Sequence, residues 1–302
     1  MSTTPTSDEL QRERPYLLGV AYRMLGSASD AEDVVQEALL RAANSGELRS
    51  IRAFLTTVVT RLCLDELGSA RRRRETYVGP YLPEPVATDA LDAGERRENV
   101  SLALLVLLDE LSPLERAVFV LRDVFDLEFS EIGAALERSE AACRKLLQRA
   151  REHIAGAQPL AAAPAEAQHA VCNAFYHALA TGDLQALVEV LAEDASMRVD
   201  HGGKASAARK PLSGSDTVSR FLIGLMAKGQ RAHEEYSVTL LPLNGAPGMV
   251  LKDPSGATVA TFTLRISQLP SGARITDVYV MRNPDKLHAL ARGARVAVDP
   301  RA

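Results

Sequence analysis

The sequence predicts a multidomain chain: two small all-α domains followed by an α+β domain. Three observations predict it. Apolar residues recur at helical spacing through most of residues 1–156. Pro80, Pro83 and Pro85 interrupt that stretch, and helix cannot run through them. After about residue 196 the pattern changes to period-two alternation broken by Pro and Gly turns. The expected boundaries are 1–74, a Pro-containing linker 75–94, a second helical domain 95–156, a linker 157–165 rich in Ala and Pro, an α+β domain 166–290, and a tail 291–302. A chain of 302 residues with 46% apolar residues can bury several cores.

In the first segment Tyr16, Val20, Met24 and Leu25 mark one helix. Ser29 and Asp30 are the expected cap of the next, whose first turn is acidic (Glu32, Asp33) and whose apolar face is Val34, Val35, Ala38, Leu39 and Ala42. Asn44-Ser45-Gly46 stops it. A third helix is expected from about Ile51 to Leu67 on Phe54, Leu55, Val58, Leu62 and Leu67. Helix returns near Glu95, with Leu104, Leu105, Leu107, Leu108 and Leu111 on its core side. Ser112-Pro113 with Glu115 reads as a capped helix start. Residues 129–152 then read as a short helix, a tight turn and a basic helix carrying Arg144, Lys145, Arg149 and Arg151 on a frame of Leu146, Leu147 and Ala150, which is a helix-turn-helix in sequence form. Beyond the second linker two helices (about 166–180 and 183–192) precede a strand at 196–200, a helix at about 215–228, strands near 235–243, 248–252, 257–268 and 273–281, and a short helix opened by Asn283-Pro284. Helices first and an antiparallel sheet after them mark the α+β class.

The bulk numbers narrow the function. A net charge of −4 and a pI near 5.9 argue against a free-standing nucleic-acid binder and for local basic patches whose affinity a larger partner completes. One such patch holds Arg61, Arg71, Arg72, Arg73 and Arg74 against Asp65 and Glu66. Cys63, Cys143 and Cys172 are far apart, without pairing or metal spacing, and read as reduced thiols. The longest apolar run, near 102–108, is far short of a membrane span, and the polar N-terminus lacks a signal-peptide core, so a cytoplasmic protein without membrane attachment is expected.

Two stretches carry a family resemblance. Ser29-Asp30-Ala31-Glu32-Asp33-Val34-Val35-Gln36-Glu37-Ala38-Leu39-Leu40-Arg41-Ala42, followed by Arg52–Leu55 and Arg61–Leu67, is similar to region 2 of bacterial sigma factors of the extracytoplasmic-function (ECF) class. Leu111–Arg116, Phe129–Ile132 and the helix-turn-helix are similar to region 4. The resemblance implies that Asp30, Glu32, Asp33, Gln36 and Glu37 dock on core RNA polymerase. It implies that the third helix of region 2 contacts the −10 promoter element, with Arg49, Arg52 and Arg61 as candidates and Arg71–Arg74 on phosphates. It also implies that Ser139, Glu140, Arg144, Lys145 and Arg149 face the −35 major groove, where Arg144 or Lys145 can pair with guanine. Cys143 and Leu146 depart from the commonest pattern, where relatives carry a β-branched residue and an Arg.

Residues 166–290 resemble a SnoaL-like domain, a cone-shaped barrel of curled sheet closed by helices. The ECF subgroup with such a fused domain, group 41, is identified by three short motifs, all near-matched here. They are Tyr81-Leu82-Pro83-Glu84-Pro85, where relatives usually begin with Trp; Asp200-His201-Gly202-Gly203-Lys204, where they usually have Gly second; and Asn283-Pro284-Asp285-Lys286-Leu287. The resemblance implies a sigma factor regulated in cis through contacts among these motifs, with no cofactor and no separate anti-sigma protein. A small-molecule ligand in the C-terminal pocket is compatible with it. Two other readings remain open at this level. One is a one-component, ligand-responsive operator-binding regulator. The other is a sigma factor whose SnoaL-like pocket is catalytic, with Asp194, Asp200, His201 and His233 as the titratable candidates.

Overall fold

A computed structural model of the chain describes residues 4–74, 77–88, 101–156, 161–205, 207–231 and 235–291. The expected helix start near Glu95 and the tail beyond residue 291 lie outside the described residues. Packing divides the chain into two units. One holds residues 4–74 and 104–156; the other holds 77–88, 101–103, 161–205, 207–231 and 235–291.

The first unit is helical. Its elements are α1 (Ser7–Leu25), α2 (Ala28–Ala43), α3 (Ile51–Arg74), α4 (Leu102–Leu108), α5 (Pro113–Phe119), a π-helical turn (Val120–Val124), α6 (Phe129–Leu136) and α7 (Glu140–Gly156). Local chemistry sets the ends. Thr6 and Glu9 form a capping box on α1, and Ser112 and Glu115 form one on α5, with Pro113 supplying the first helical position. The cap of α2 is Ser27, whose hydroxyl accepts from the Asp30 amide; the expected caps Ser29 and Asp30 lie inside the first turn, two and three residues past it. Both positions can accept from an amide, and the Gly26 left-handed stop of α1 decides between them. α3 runs seven residues beyond the expected Leu67, ending in the arginines. Its buried stripe is Leu55, Val59, Cys63 and Leu67, at strict four-residue spacing, so Val59 and Cys63 replace the expected Val58 and Leu62.

The two helical segments, 4–74 and 104–156, pack together within this unit. α3 lies against α5 and α6, and α1 against the π-helical turn. Phe125 contributes an aromatic contact from the second segment. Its ring meets Tyr16 edge-on at 5.2 Å between centroids, and the fully buried Arg23 guanidinium lies 5.4 Å over it. Gly19 keeps this approach open, because a Cβ there would stand 3.3 Å from the Phe125 ring.

The second unit contains α8 (Ala165–Thr181), α9 (Leu184–Val190), β1 (Leu191–Asp200), β2 (Leu212–Ser213), α10 (Ser215–Arg231), β3 (Ser237–Leu243), β4 (Ala246–Lys252), β5 (Thr258–Leu269), β6 (Gly272–Met281) and α11 (Pro284–Ala291). The sheet order is β2-β1-β6-β5-β4-β3, with β1 parallel to β6 and the other neighbours antiparallel. Alternation assigns the faces. Met197, Val199, Met249, Phe262, Leu264, Val278 and Val280 point to α8–α10 and share one core with Phe175, Leu187, Val218 and Leu222. Asp200, Val250, Thr261, Thr263, Tyr279 and Met281 alternate with them and so lie on the opposite face, yet they too are buried. Asn244 and Gly245, both at positive φ, make the two-residue turn between β3 and β4.

What covers the second face is the interregion linker together with α11. Residues 77–88 are extended, as the prolines require, and Leu82 through Val86 are all buried. One end bonds Asp200 at the end of β1, and the other bonds the β3–β4 turn. Four strand spacings of ~4.8 Å separate β1 from β3, and six extended residues of ~3.3 Å each cover that span. The second linker is also used: Ala163 donates to Ile266 and Gln268 donates to Ala161, pairing it with β5.

Candidate functional site

The three motifs meet at the end of β1. Asp200 is fully buried and accepts from the Leu82 amide (2.8 Å) and the Lys286 ammonium (2.7 Å) through Oδ2, and from the Tyr77 hydroxyl (2.5 Å) through Oδ1. Lys286 also donates to the Leu82 carbonyl (2.6 Å), so carboxylate and ammonium hold both polar groups of one linker residue. The same ammonium lies 3.2 Å over the Tyr81 ring and 5.0 Å over Tyr77. Asn283 caps α11 by accepting from the Asp285 amide, and its Nδ2 donates to the Tyr77 hydroxyl (2.9 Å). Lys204 pairs with Asp285, and Leu287 is buried. A buried ion pair needs this number of satisfied partners to offset desolvation.

His201 is buried. Its Nδ1 accepts from the Gly203 amide (3.0 Å), and its Nε2 has no hydrogen-bond partner and faces the linker at Gly79. Gly79 has φ +87°, and a Cβ there would stand 2.7 Å from Nε2, so only glycine lets the linker pass. Gly202 has φ +54° and admits the Asn283 side chain, which a Cβ would meet at 2.5 Å. Pro83, Glu84 and Pro85 are buried in the same segment, and Pro284 opens α11. Farther along, the Val86 amide donates to Asn244 Oδ1, the Thr88 amide donates to the Pro242 carbonyl, and the Gly245 amide donates to Thr88 Oγ1.

Several participants were not foreseen from the sequence, among them Asn244-Gly245 and Tyr77. Asn244-Gly245 is a hairpin signal that period and turn chemistry do expose. Tyr77 precedes the recognised motif by four residues and carries no signal of its own. Burial first, then the hydrogen bond to Asp200 and its charge, pushes the Tyr77 phenol far above its ordinary value; Asn283 acts the other way. A raised pKa means that its contribution is complete below the unfolded value near pH ~10 and is lost as pH rises above it. Tyr77→Phe should lower the stability of this unit by about 1–3 kcal/mol. It should also flatten the alkaline limb of a denaturation series above pH ~10. An unchanged limb would remove Tyr77 from the clamp.

The acid-base candidates do not come together. Asp200 binds the linker, and His201 lies against it at Gly79. Asp194 is exposed and lines an open cleft of about 810 Å³ with Val188, Glu193, Leu269 and Arg274. His233 lies outside the described residues. Among the described residues no group of three or more His, Cys, Asp or Glu side chains is placed to hold a metal ion.

In the first unit the acidic face of α2 is open: Asp33, Gln36 and Glu37 are exposed, Asp30 and Glu32 partly so, and Glu37 pairs with Arg41 (2.7 Å). The −10 candidates differ. Arg49 is exposed. Arg52 bonds Glu13 (2.6 Å) and lies 4.7 Å over Tyr16. Arg61 is engaged by region 4: its Nε donates to the Ala135 carbonyl (3.1 Å), and its Nη2 pairs with Glu137 (3.0 Å). Arg71–Arg74 end α3, and their side chains lie outside the description. On α7, Ser139, Glu140, Arg144, Lys145 and Arg149 are all exposed, while Cys143, Leu147 and Ala150 face inward, with Leu146 only partly covered. The Ser139 hydroxyl accepts from the Ala142 amide at the helix start, and Arg151 forms a two-bond pair with Asp123. Glu137, at φ +54°, makes the tight turn between the two helices.

Comparison with known proteins agrees with this layout. Residues 10–73 match the family described as Sigma-70 region 2, and residues 101–154 match Sigma-70, region 4. The chain is 43% identical over 228 residues to the ECF RNA polymerase sigma factor SigJ of Mycobacterium tuberculosis, covering 73% of each chain. It is 32% identical over 299 residues to the probable ECF RNA polymerase sigma factor SigI of the same species, covering 95% of this chain and 96% of the other. The crystal structure of M. tuberculosis SigJ superposes with a TM-score of 0.71 at 33% identity over 94% of this chain and 98% of that one. Among the described residues no helix is long and apolar enough to cross a membrane. Two sigma modules in order, a helix-turn-helix with an open basic face, and relatives matched over most of their length place the chain in the extracytoplasmic-function sigma factors of RNA polymerase.

Proposed function

We propose that this sigma factor binds core RNA polymerase through the α2 face (Asp30, Glu32, Asp33, Gln36, Glu37) and reads promoters with α3 at −10 and α7 at −35. Its C-terminal domain governs the process by holding the linker that joins the two regions. The observation that carries this reading is the Asp200–Lys286 pair, which grips both polar groups of Leu82. A linker fixed over the sheet cannot take up an arbitrary length between regions 2 and 4, whereas a promoter demands one spacing. Arg61 supports the same conclusion from the first unit, because region 4 occupies a side chain assigned to DNA.

The held state therefore opposes promoter binding, and docking on polymerase shifts the population away from it. The protein works in the cytoplasm, where polymerase is, and its own domain serves in place of a separate anti-sigma protein. The clamp is built entirely from groups of this chain, so this reading invokes neither a ligand nor a catalytic step. Reconstituted transcription tests the reading. The full chain with core enzyme should select a start site that core enzyme alone does not. A chain ending at residue 156 should select the same site with altered efficiency. Operator binding without core enzyme, and no start-site selection with it, would replace this reading with an ordinary repressor or activator.

A further inference from the structure

Region 4 contains an aromatic side chain whose position its own core does not explain. Phe129 opens α6, is only half-buried, and stands outside the set of buried residues that pack the unit. Two arginines lie over its ring, Arg122 at 5.2 Å and Arg144 at 4.8 Å. Arg122 is anchored: its Nη1 donates to the Leu127 carbonyl (2.7 Å) and to Glu128 Oε1 (3.2 Å). Arg144 is half exposed, and its Nη2 donates to Glu140 one turn earlier (2.7 Å).

We propose that Phe129 is a positioning residue for −35 recognition, holding the Arg144 guanidinium in the plane from which it pairs with a guanine. The inference rests on the reading of α7 as the −35 helix. An arginine on an exposed helix samples many rotamers, and bidentate pairing with guanine O6 and N7 needs one orientation of a planar fork. Stacking on a ring fixes that plane through the guanidinium face and leaves its edge donors directed outward. The Glu140 carboxylate binds one amino group and sets rotation within the plane. Arg122, held by Leu127 and Glu128 just before α6, is the ring's other cationic neighbour. The ring thus couples the first helix of the motif to the reading side chain of the second.

The test uses the full chain with core polymerase and a set of promoters carrying each base at each −35 position, read by run-off transcription. Arg144→Ala should abolish the preference for guanine at one position. Phe129→Leu and Phe129→Met should weaken the preference at that same position by roughly tenfold, within the range a bidentate contact supplies. Phe129→Tyr should retain it, and Arg144→Ala with Phe129→Leu should be no worse than Arg144→Ala alone. Loss of folding would instead lower transcription from every −35 variant alike, and Phe129→Met and Phe129→Tyr, which conserve bulk, separate these cases. If Arg144→Ala changes base preference and neither ring-removing variant does, positioning by Phe129 is wrong while the −35 reading survives. If Arg144→Ala leaves every preference intact, both fail.

Discussion

Asp200→Asn should release the linker and raise promoter activity. The carboxylate is fully buried and accepts three hydrogen bonds, two of them from buried groups, the Leu82 amide and the Lys286 ammonium. An amide keeps the shape but places an NH₂ group among donors and leaves the Lys286 ammonium without its counter-charge. Breaking one side of a buried pair costs about 3–5 kcal/mol. On the proposed reading that loss falls on the held arrangement, in which the linker is docked. The expected results are rapid hydrogen exchange at the Leu82 amide, protease cleavage within residues 77–88, and a rise in run-off transcription of about tenfold for each 1.4 kcal/mol removed from the closed state. Lys286→Met should act in the same direction. The double variant Asp200→Asn/Lys286→Met should recover part of the lost stability, because an apolar replacement leaves no unpaired charge. Unchanged exchange at Leu82 together with unchanged transcription would overturn the clamp.

Much of this arrangement is legible in the sequence, for identifiable reasons. Pro80, Pro83 and Pro85 force an extended segment wherever it docks, and period-two alternation in β5 separates the face of Phe262 from that of Thr261. The three motifs are short, but each holds a residue whose chemistry is costly to bury alone: Glu84 in the first, Asp200 in the second, and Asn283 and Lys286 in the third. What the sequence does not reveal is pairing. Nothing in the spacing of Tyr77 indicates that its phenol closes the Asp200 site, and nothing in Arg61 indicates that it bonds backbone carbonyls of region 4 rather than solvent. The cap of α2 and the buried stripe of α3 differ from expectation for a related reason. Several residues satisfy the local rule, and tertiary contact selects among them. Ser27 wins over Ser29, and Cys63 over Leu62, because Gly26 sets the entry of one helix and packing against α1 and α2 sets the rotation of the other.

Contact between regions 2 and 4 offers a second, independent way to open the molecule. Phe125→Ala removes the ring that Tyr16 meets edge-on and over which Arg23 lies, while leaving the α6–α7 turn and the open face of α7 untouched. Truncating a buried phenylalanine costs about 3–5 kcal/mol when the site cannot collapse. Here the site can relieve the cost by letting the two regions part, so the loss appears as opening rather than unfolding. Removing about 2.7 kcal/mol from the closed side changes the closed-to-open ratio by roughly a hundredfold. Small-angle scattering should record a larger radius of gyration, and Arg61, no longer held by the Ala135 carbonyl and Glu137, becomes available to DNA. Promoter binding with core enzyme should strengthen in Phe125→Ala and fall back when Arg61→Ala is added, because on the proposed reading Arg61 is a DNA contact and the molecule is already open. Arg61→Ala alone should have a smaller net effect, since it weakens the closed state and the promoter complex together. If Phe125→Ala leaves both the scattering profile and promoter binding unchanged, the packing of region 2 on region 4 has no part in regulation, and the linker clamp must act without it.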